Sequence, residues 1–198
     1  MNRSGGKETG VGVCLHIKNM VCDRCVMAVR ELFASLDIKV SSVTLGCVAL
    51  AEPVDEATFG RIKERLVALG FELIDDKRLM LAEQIKNEII RIVHHGNGLL
   101  NENLSEHLQR ACNYEYSTLS KVFSDVTGMT VEKYFIAQKI EKVKELLDYD
   151  ELSLNQIADR LCYSSAAHLS GQFKSVTGMT PTEYKKLKVK SRTPIDKI

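Results

Sequence analysis

The pattern of apolar and polar residues changes part-way along the chain, and it predicts a mixed α/β region followed by a helical one. Residues alternate between apolar and polar over 11–18, which is typical of a half-buried strand. Apolar residues recur at helical spacing over 26–36, and 40–51 reads as two strands joined by a glycine turn. A capped helix over 55–69 and a short strand over 71–74 complete the series. The order βαββαβ predicts a ferredoxin-like α+β domain, with both helices on one face of an antiparallel sheet.

The rest of the chain carries helical patterns. An apolar stripe runs from Leu81 to Val93 and ends in a His-His-Gly-Asn-Gly segment. Further amphipathic helices are predicted over 103–112, 116–127, 131–148, 154–162, 165–176 and 181–188. The predicted organisation is therefore a disordered lead-in over 1–10, the α/β domain over 11–76, an all-α domain over 77–188 and a tail over 189–198. The basic segment from Lys185 (KKLKVKSR) is expected to fray.

Composition and charge narrow the class of protein. The 198 residues are 44% hydrophobic and 27% charged, as in ordinary globular proteins. No apolar run approaches the roughly 18 residues that span a bilayer, and no secretory signal follows Met1, so we expect a cytoplasmic protein without a membrane partner. Residues 1–76 carry a net charge of −2 and the remainder +3, the sign expected if the second region meets phosphate. The motifs of serine hydrolases, P-loop enzymes and dinucleotide-binding enzymes do not occur, so no enzymatic activity is predicted.

The helical region contains an internal repeat with an offset of 50 residues. The segment Val126–Thr130 (VTGMT) recurs as Val176–Thr180. The same offset relates further identical pairs: Leu104 and Leu154, Arg110 and Arg160, Cys112 and Cys162, Leu119 and Leu169, Ser120 and Ser170, Phe123 and Phe173, Tyr134 and Tyr184. Two copies are too few for a helical solenoid. The repeat instead predicts two helix-turn-helix units, each with a protruding second helix. A rigid linker helix over 136–147 is expected to hold these two helices about one DNA turn apart.

Motifs of the second copy indicate a family. Leu152–Ala158 (LSLNQIA) opens the copy, and Phe173-Lys174 followed by Thr177–Pro181 (TGMTP) closes it. With these motifs, residues 80–188 resemble the AraC/XylS family of bacterial transcription regulators. The resemblance implies double-stranded promoter DNA as a partner and RNA polymerase as a further candidate partner. It also identifies 116–127 and 165–176 as the two recognition helices.

Polar residues on these two helices are the candidate DNA contacts. They are Tyr116, Ser117, Thr118, Ser120 and Lys121 on the first helix, and Ser165, His168, Ser170, Gln172 and Lys174 on the second. Ala166, Ala167 and Gly171 occupy positions that often read bases in the family, but they offer no bidentate hydrogen bond. We therefore expect the first helix to carry more direct readout and the second to rely on phosphates and DNA shape. The alternative for each polar residue is a solvated helix face.

Two departures from the family pattern lie outside the recognition helices. The usual Gly-Phe of the second turn is Cys162-Tyr163, and the usual Arg of the linker helix is Lys139. Because Cys112 and Cys162 fall at equivalent positions of the two turns, we expect both to be buried packing residues rather than ligands.

An MxCxxC motif containing Cys22 and Cys25 lies where the first strand ends and the first helix begins. The partial positive charge of a helix N-terminus is expected to lower the pKa of thiols there and to favour metal or redox chemistry. With this motif, residues 12–75 resemble the heavy-metal-associated domain, with Asn19 and Val21 in place of its usual Gly and Thr. The resemblance implies that Cys22 and Cys25 bind a soft ion such as Cu(I).

Strand directions suggest a third thiolate. In the predicted topology, the end of the first strand and the hairpin before Cys47 lie at the same end of the sheet. Cys47 is therefore a candidate third ligand beside Cys22 and Cys25, a set suited to Cu(I) or Zn(II). Cys14 and His16 lie on the other sheet face, where a structural or merely exposed role is expected. In a cytosolic chain the six cysteines are expected as thiols or ligands rather than disulfides.

The first functional hypothesis is a sequence-specific transcription regulator, in which the α/β domain receives a metal or thiol-redox signal and the helical domain binds a promoter. An alternative is a metal-trafficking or storage protein whose helical domain binds a protein partner. The CxxC motif on its own also fits a redox pair, or a relic on a dimerisation domain. The 50-residue repeat, with the salt-dependent DNA affinity it predicts, discriminates between the regulator and the trafficking protein.

Overall fold

A computed structural model describes residues 14–74, 76–96, 103–187 and 192–198. The chain divides into two compact units, Met1–Asp75 and Asp76–Ile198. The predicted lead-in 1–10 and the first three residues of the first predicted strand, 11–13, lie outside the described residues.

The first unit is a four-stranded antiparallel sheet with two helices. Its elements are β1 (Cys14–Lys18), α1 (Asp23–Ser35), β2 (Val40–Thr44), β3 (Cys47–Leu50), α2 (Glu56–Ala68) and β4 (Glu72–Ile74). The order of strands across the sheet is β2-β3-β1-β4, and each neighbouring pair is antiparallel. The order of elements along the chain is the predicted one, because the apolar alternation of the strands and the helical spacing between them are both strong.

The core of the first unit lies between one face of the sheet and the two helices. Leu15 and Ile17 of β1 are buried, whereas Cys14 is exposed and His16 is half-buried on the opposite face. The Asp55 side chain caps α2 as predicted, since its carboxylate accepts a hydrogen bond from the Thr58 amide (2.7 Å). Two other residues depart from the prediction that they face inward, because Phe59 is 38% exposed and Leu69, in the C-terminal turn of the helix, is 51% exposed.

The second unit is helical throughout its described residues. Its helices are α3 (Lys77–Ile90), α4 (Leu104–Cys112), α5 (Tyr116–Thr127), α6 (Val131–Tyr149), α7 (Leu154–Arg160), α8 (Ala166–Thr177) and α9 (Pro181–Lys186). A π-helical segment, Arg91–His95, continues α3, and a short 3₁₀ turn, Ile195–Lys197, lies near the C-terminus. Each helix from α4 to α9 begins and ends within two residues of its predicted bounds.

Two apolar cores lie along α6. The N-terminal end of α6 packs with α3, α4 and α5, through residues that include Leu108, Phe123 and Tyr134. Its C-terminal half packs with α7, α8 and α9, through residues that include Ile157 and Phe173. At about 1.5 Å per residue, the 19 residues of α6 extend about 28 Å. One continuous helix therefore carries both helix-turn-helix units.

The VTGMT repeat is a helix stop followed by a helix start. The Thr127 hydroxyl donates to the Phe123 carbonyl (2.7 Å), Gly128 ends α5 with a left-handed φ of 74°, and Thr130 caps α6. The second copy repeats each step, with Thr177 Oγ1 donating to the Phe173 carbonyl (2.8 Å), Gly178 at φ 80° and Thr180 capping α9. The repeated sequence therefore fixes the same corner after each second helix.

Residues near the C-terminus pack against α6. Three hydrogen bonds attach them to α6: Arg192 Nη2 to Glu145 Oε2 (3.0 Å), the Thr193 amide to Glu141 Oε2 (3.0 Å), and Gln138 Nε2 to the Ile195 carbonyl (3.2 Å). Ile198 packs against the core formed by α3, α4 and α5. Of the segment expected to fray, 185–192, residues 188–191 lie outside the described residues. Gln138 and Glu141 are buried polar residues, and Ile195 and Thr193 supply hydrogen-bond partners for them.

Candidate nucleic-acid interface and thiol sites

The first helix-turn-helix unit presents the outer face of α5. The turn after α4 is left-handed at Asn113 (φ 57°), and the Gln109 side chain accepts a hydrogen bond from the Tyr116 amide (3.0 Å) at the start of α5. Ser117, Thr118 and Lys121 are exposed along α5, on the side opposite its buried residues. These three side chains form a polar stripe that is free to meet a ligand.

The other two predicted residues of α5 are partly occupied within the protein. Tyr116 and Ser120 are half-buried. The Tyr116 hydroxyl donates to the Glu132 carboxylate at the start of α6. Burial raises the pKa of Tyr116, and the same hydrogen bond lowers the pKa of Glu132. Tyr116 therefore joins α5 to α6, and its hydroxyl is less available to DNA than the Ser117 and Thr118 hydroxyls.

The second unit presents a smaller outer face on α8. The exposed residues at the positions equivalent to Ser117, Thr118 and Lys121 are Ala167, His168 and Gly171. Lys174 is also exposed, one helical turn further along, and Ser170 is half-buried. Residues of the two outer faces that lie 50 positions apart in sequence are therefore exposed alike.

Several polar side chains of α8 have partners in their own unit. Ser165 caps α8 by accepting from the His168 amide (3.1 Å), and the His168 imidazole lies 3.0 Å from the Ser164 hydroxyl. Gln172 is half-buried, and its Oε1 accepts a hydrogen bond from the Tyr163 hydroxyl (2.7 Å). On α8 the predicted contact that combines a charged end with an exposed side chain is Lys174.

The two turns differ in the placement of their cysteines. Cys112 is buried at the end of α4, and burial raises the pKa of its thiol to about 11. Cys162 is exposed and has a left-handed φ of 54°. The expectation that both are buried is therefore wrong for Cys162. Because α7 ends two residues before Cys162, the chain turns at that residue, and the left-handed region favours the Gly that usually stands there.

Lys139 of α6 lies beneath the second turn. The residue is 8% exposed, and its ammonium lies 3.9 Å from the centre of the Tyr163 ring and 5.5 Å from that of Phe135. Burial lowers the pKa of Lys139. The two aromatic rings supply the cation–π contact that partly offsets desolvation of the charge. The departure from the usual Arg is thus accommodated by a lysine packed between rings.

Cys22 and Cys25 lie together at the N-terminus of α1. Their sulfur atoms are 3.5 Å apart, and both side chains are half-buried. Burial raises the pKa of the Cys25 thiol, and the contact with Cys22 raises it further. The predicted lowering is therefore wrong for Cys25, since burial and the contact with Cys22 outweigh the backbone hydrogen bonds at Val21 and Cys22 that lower the pKa. Asn19 has a left-handed φ of 71°, a conformation that Asn tolerates better than most residues.

Cys47 does not join this pair. It lies on the open face of the sheet, where a disulfide links it to Cys14, with 6.3 Å between the Cα atoms. Alternation along β3 explains the error: Val48 and Leu50 face the core, so Cys47 faces the other way. The period-two pattern placed Cys14 on the open face, and the same reasoning applied to Cys47 would have found the pair. The expectation that the cysteines are thiols or ligands rather than disulfides is thus wrong for Cys14 and Cys47.

His16 is the direct cross-strand neighbour of Cys47 on the open face. Burial lowers its pKa, which favours the neutral imidazole. The described residues hold no group of three or more His, Cys, Asp or Glu side chains arranged to bind a metal ion. In the same residues no helix is long and apolar enough to cross a membrane.

Residues 108–187 match the model of a helix-turn-helix domain family. The chain is 26% identical over 106 residues to an uncharacterized HTH-type transcriptional regulator, YtdP, of Bacillus subtilis (strain 168), covering 54% of this chain and 14% of that protein. It is 35% identical over 69 residues to the xylose operon regulatory protein of Escherichia coli (strain K12), covering 35% of this chain and 18% of that protein. A crystal structure of the DNA-binding domain of AdpA in complex with a target DNA is 21% identical, with a TM-score of 0.44 over 52% of this chain and 90% of that one.

The second unit thus contains a helix-turn-helix domain, and the chain is similar in sequence to bacterial transcription regulators. The chain spans less than a fifth of the length of the two regulators described above. The match to the family model begins at Leu108 and ends at Leu187, so it contains most of α4, all of α5 to α8, and α9.

Proposed function

We propose that the chain is a sequence-specific, DNA-binding transcription regulator. The observation that carries the proposal is the duplicated helix-turn-helix unit, whose second helices α5 and α8 expose equivalent faces on one scaffold helix. The α5 face is polar and the α8 face carries small residues with His168 and Lys174, and a protruding helix of either kind fits the major groove of B-DNA. The length of α6, about 28 Å, is of the order of one turn of DNA.

The two helices contribute differently to recognition. Ser117, Thr118 and Lys121 give α5 the hydroxyl and ammonium groups that read base edges and phosphates. On α8, Ala167 and Gly171 permit close approach of the backbone, while His168 and Lys174 contribute polar contacts. In this proposal α5 supplies most of the direct readout, and α8 relies more on phosphate contacts and DNA shape.

The first unit is proposed to be a ferredoxin-like sensor domain that binds a soft metal ion through Cys22 and Cys25. Two sulfurs at 2.3 Å from a tetrahedral ion lie about 3.8 Å apart, so the observed 3.5 Å suits chelation after a small adjustment. A bound Cu(I) or Zn(II) would supply a fixed charge and a cross-link at the start of α1. The metal regulates DNA binding only if its affinity differs between the DNA-binding and the inactive arrangement of the protein.

The test is selection from a randomised duplex library with the reduced protein, with and without Cu(I) or Zn(II). We expect a recovered motif whose affinity falls steeply with salt. A change of affinity with metal that disappears in Cys22→Ser supports the sensor. A motif that is indifferent to metal retains the regulator and removes metal sensing from the proposal. The absence of any enriched motif contradicts the regulator itself.

Lysine variants then locate the interface on the selected duplex. Lys121→Ala and Lys174→Ala should each reduce the slope of log K against log salt by about 1, since each removes one phosphate contact. The matched control is Lys63→Ala, because Lys63 is an exposed lysine on α2 of the first unit. If all three variants had the same slope of log K against log salt, the DNA would bind at another surface.

A further inference from the structure

The open face of the sheet brings together two sulfurs and an imidazole. β1 and β3 are antiparallel, with Cys14 opposite Ala49 and His16 opposite Cys47. Cys14, His16 and Cys47 therefore project from the same face, with His16 directly beside Cys47 and Cys14 on the diagonal. This cluster is separate from the CxxC motif, since Cys25 packs against the core on the other face of the sheet.

The distances between these residues suit a shared ligand. The Cα atoms of Cys14 and Cys47 are 6.3 Å apart, and direct cross-strand neighbours such as His16 and Cys47 have Cβ atoms about 5 Å apart. Side chains at these separations can converge on one ion at bond lengths of about 2.3 Å to sulfur and about 2.0 Å to nitrogen. Cys14 is exposed, and His16 and Cys47 are half-buried, so reductants and metal ions can reach the cluster from solvent.

We propose that Cys14, Cys47 and His16 form a redox-gated binding site for a thiophilic metal ion, which is closed by the Cys14–Cys47 disulfide and opened by its reduction. Two thiolates and an imidazole are ligands for Zn(II) or Cu(I), and three protein ligands leave one position for water or an added thiol. The site is additional to Cys22 and Cys25 and does not use them.

The opening step is an ordinary thiol–disulfide exchange. Two equivalents of a small thiol donate two electrons to the Cys14–Cys47 bond, which yields two protein thiols and one small-molecule disulfide. Metal binding then displaces one proton from each thiol, so affinity increases with pH. Oxidation by a small-molecule disulfide reverses the exchange and releases the ion. Metal binding and the disulfide therefore exclude each other, because each uses both sulfur atoms.

Two contacts of neighbouring residues are compatible with the site. Thr44 of β2 is the cross-strand neighbour of Cys47 on the edge of β3 that faces away from β1. Its hydroxyl donates a hydrogen bond to the Cys47 carbonyl (3.3 Å), which holds the strand at that residue. Lys18, the next outward residue after His16, is 3.6 Å from the Glu72 carboxylate. This ion pair directs the lysine charge toward Glu72 rather than toward an incoming cation.

The experiment uses the whole chain as the Cys22→Ser/Cys25→Ser variant. The variant is reduced and freed of small thiols under anaerobic conditions, and then titrated with Co(II) and Zn(II). We expect one equivalent of Co(II), with thiolate-to-cobalt charge-transfer absorption that Zn(II) displaces. Adding Cys14→Ser or Cys47→Ser should abolish this signal, and His16→Gln should weaken binding by more than about tenfold. Adding Cys162→Ser, which removes an exposed cysteine outside the cluster, should leave binding unchanged.

A second measurement does not depend on the folding of any variant. Zn(II) should protect Cys14 and Cys47 of the reduced unmodified protein from iodoacetamide, with the labelled sites read by mass spectrometry. The proposal is contradicted if the folded, reduced double variant takes up no stoichiometric metal. It is also contradicted if uptake persists after Cys14→Ser, or if the disulfide form binds the ion equally well.

Discussion

The two helix-turn-helix units have closely similar cores but different turns and outer faces. Leu119 and Phe123 in the first unit and Leu169 and Phe173 in the second are fully buried. On the outer faces, by contrast, Lys121 corresponds to Gly171. Packing restricts buried positions to side chains of one volume, whereas exposed positions are free to diverge. The two units therefore share one packed core, whereas their outer faces differ.

The first prediction uses the shared cores and has the largest expected effect. Phe123→Ala and Phe173→Ala should each lower the free energy of unfolding of the helical unit by about 3–5 kcal/mol, because each leaves a cavity in a packed core. Urea unfolding followed by circular dichroism measures the change. Val176→Ala, at a residue that is 49% exposed, is the control and should change stability by less than about 1 kcal/mol. If Phe173→Ala left the free energy of unfolding nearly unchanged, the two cores would not be equivalent.

The second prediction concerns the two turn cysteines. In the native protein iodoacetamide should label Cys162 at least about 100-fold faster than Cys112. A pKa of about 11 instead of the ordinary 9.0 lowers the thiolate fraction of Cys112 about 100-fold at neutral pH, and burial slows it further. Since the pKa is raised, the Cys112 rate should increase with pH until about pH 11. Equal labelling rates in the folded state, measured by mass spectrometry, would show that the turns do not differ as described.

The third prediction concerns the left-handed residue of each turn. Cys162→Gly should stabilise the helical unit by about 1 kcal/mol, since a left-handed residue with a Cβ atom is strained by roughly that amount. Asn113→Gly should gain less, because Asn tolerates the left-handed region. Denaturant midpoints of both variants, measured side by side, provide the check. A larger gain in stability from Asn113→Gly than from Cys162→Gly would contradict this prediction.

The fourth prediction concerns Gly171 on the outer face of α8. Gly171→Ala should stabilise the unit by about 0.5–1 kcal/mol, because alanine favours the helix and the added Cβ meets no heavy atom within 4 Å. Gly171→Lys tests the function of the same position. It places a lysine where α5 carries Lys121, and we expect tighter DNA binding with a steeper salt dependence. Unchanged DNA affinity for Gly171→Lys would argue that α8 does not face the phosphates.

Sequence patterns predicted the elements well because the apolar periods are strong and the caps are explicit. Asp55 and the two VTGMT corners needed no tertiary information, since hydrogen bonds within a few residues define them. The prediction for Cys47 was wrong because it considered only the end of the sheet at which Cys47 lies. It did not consider which face of the strand carries the side chain. Cys162 was misplaced because the repeat implies equal positions in sequence, whereas α7 is two residues shorter than α4.

Other features depend on contacts distant in sequence. Gln138 and Glu141 are polar residues buried on α6, and the pattern alone does not explain them. Besides partners on α6 itself (Tyr134 and Lys144), they bond to Ile195 and Thr193, more than 50 positions along the chain. The raised pKa of Cys25 likewise depends on how deeply the helix N-terminus is buried, which the motif does not specify.

The central claim is that α5 and α8 both enter the DNA, and hydroxyl-radical footprinting on the selected duplex tests it most directly. We predict two protected segments about 10 base pairs apart, one for each helix. Thr118→Asp on α5 and His168→Asp on α8 occupy equivalent exposed positions, and each should remove protection of one segment only. A single protected segment that both variants weaken equally, or a footprint unaffected by either, would contradict the account.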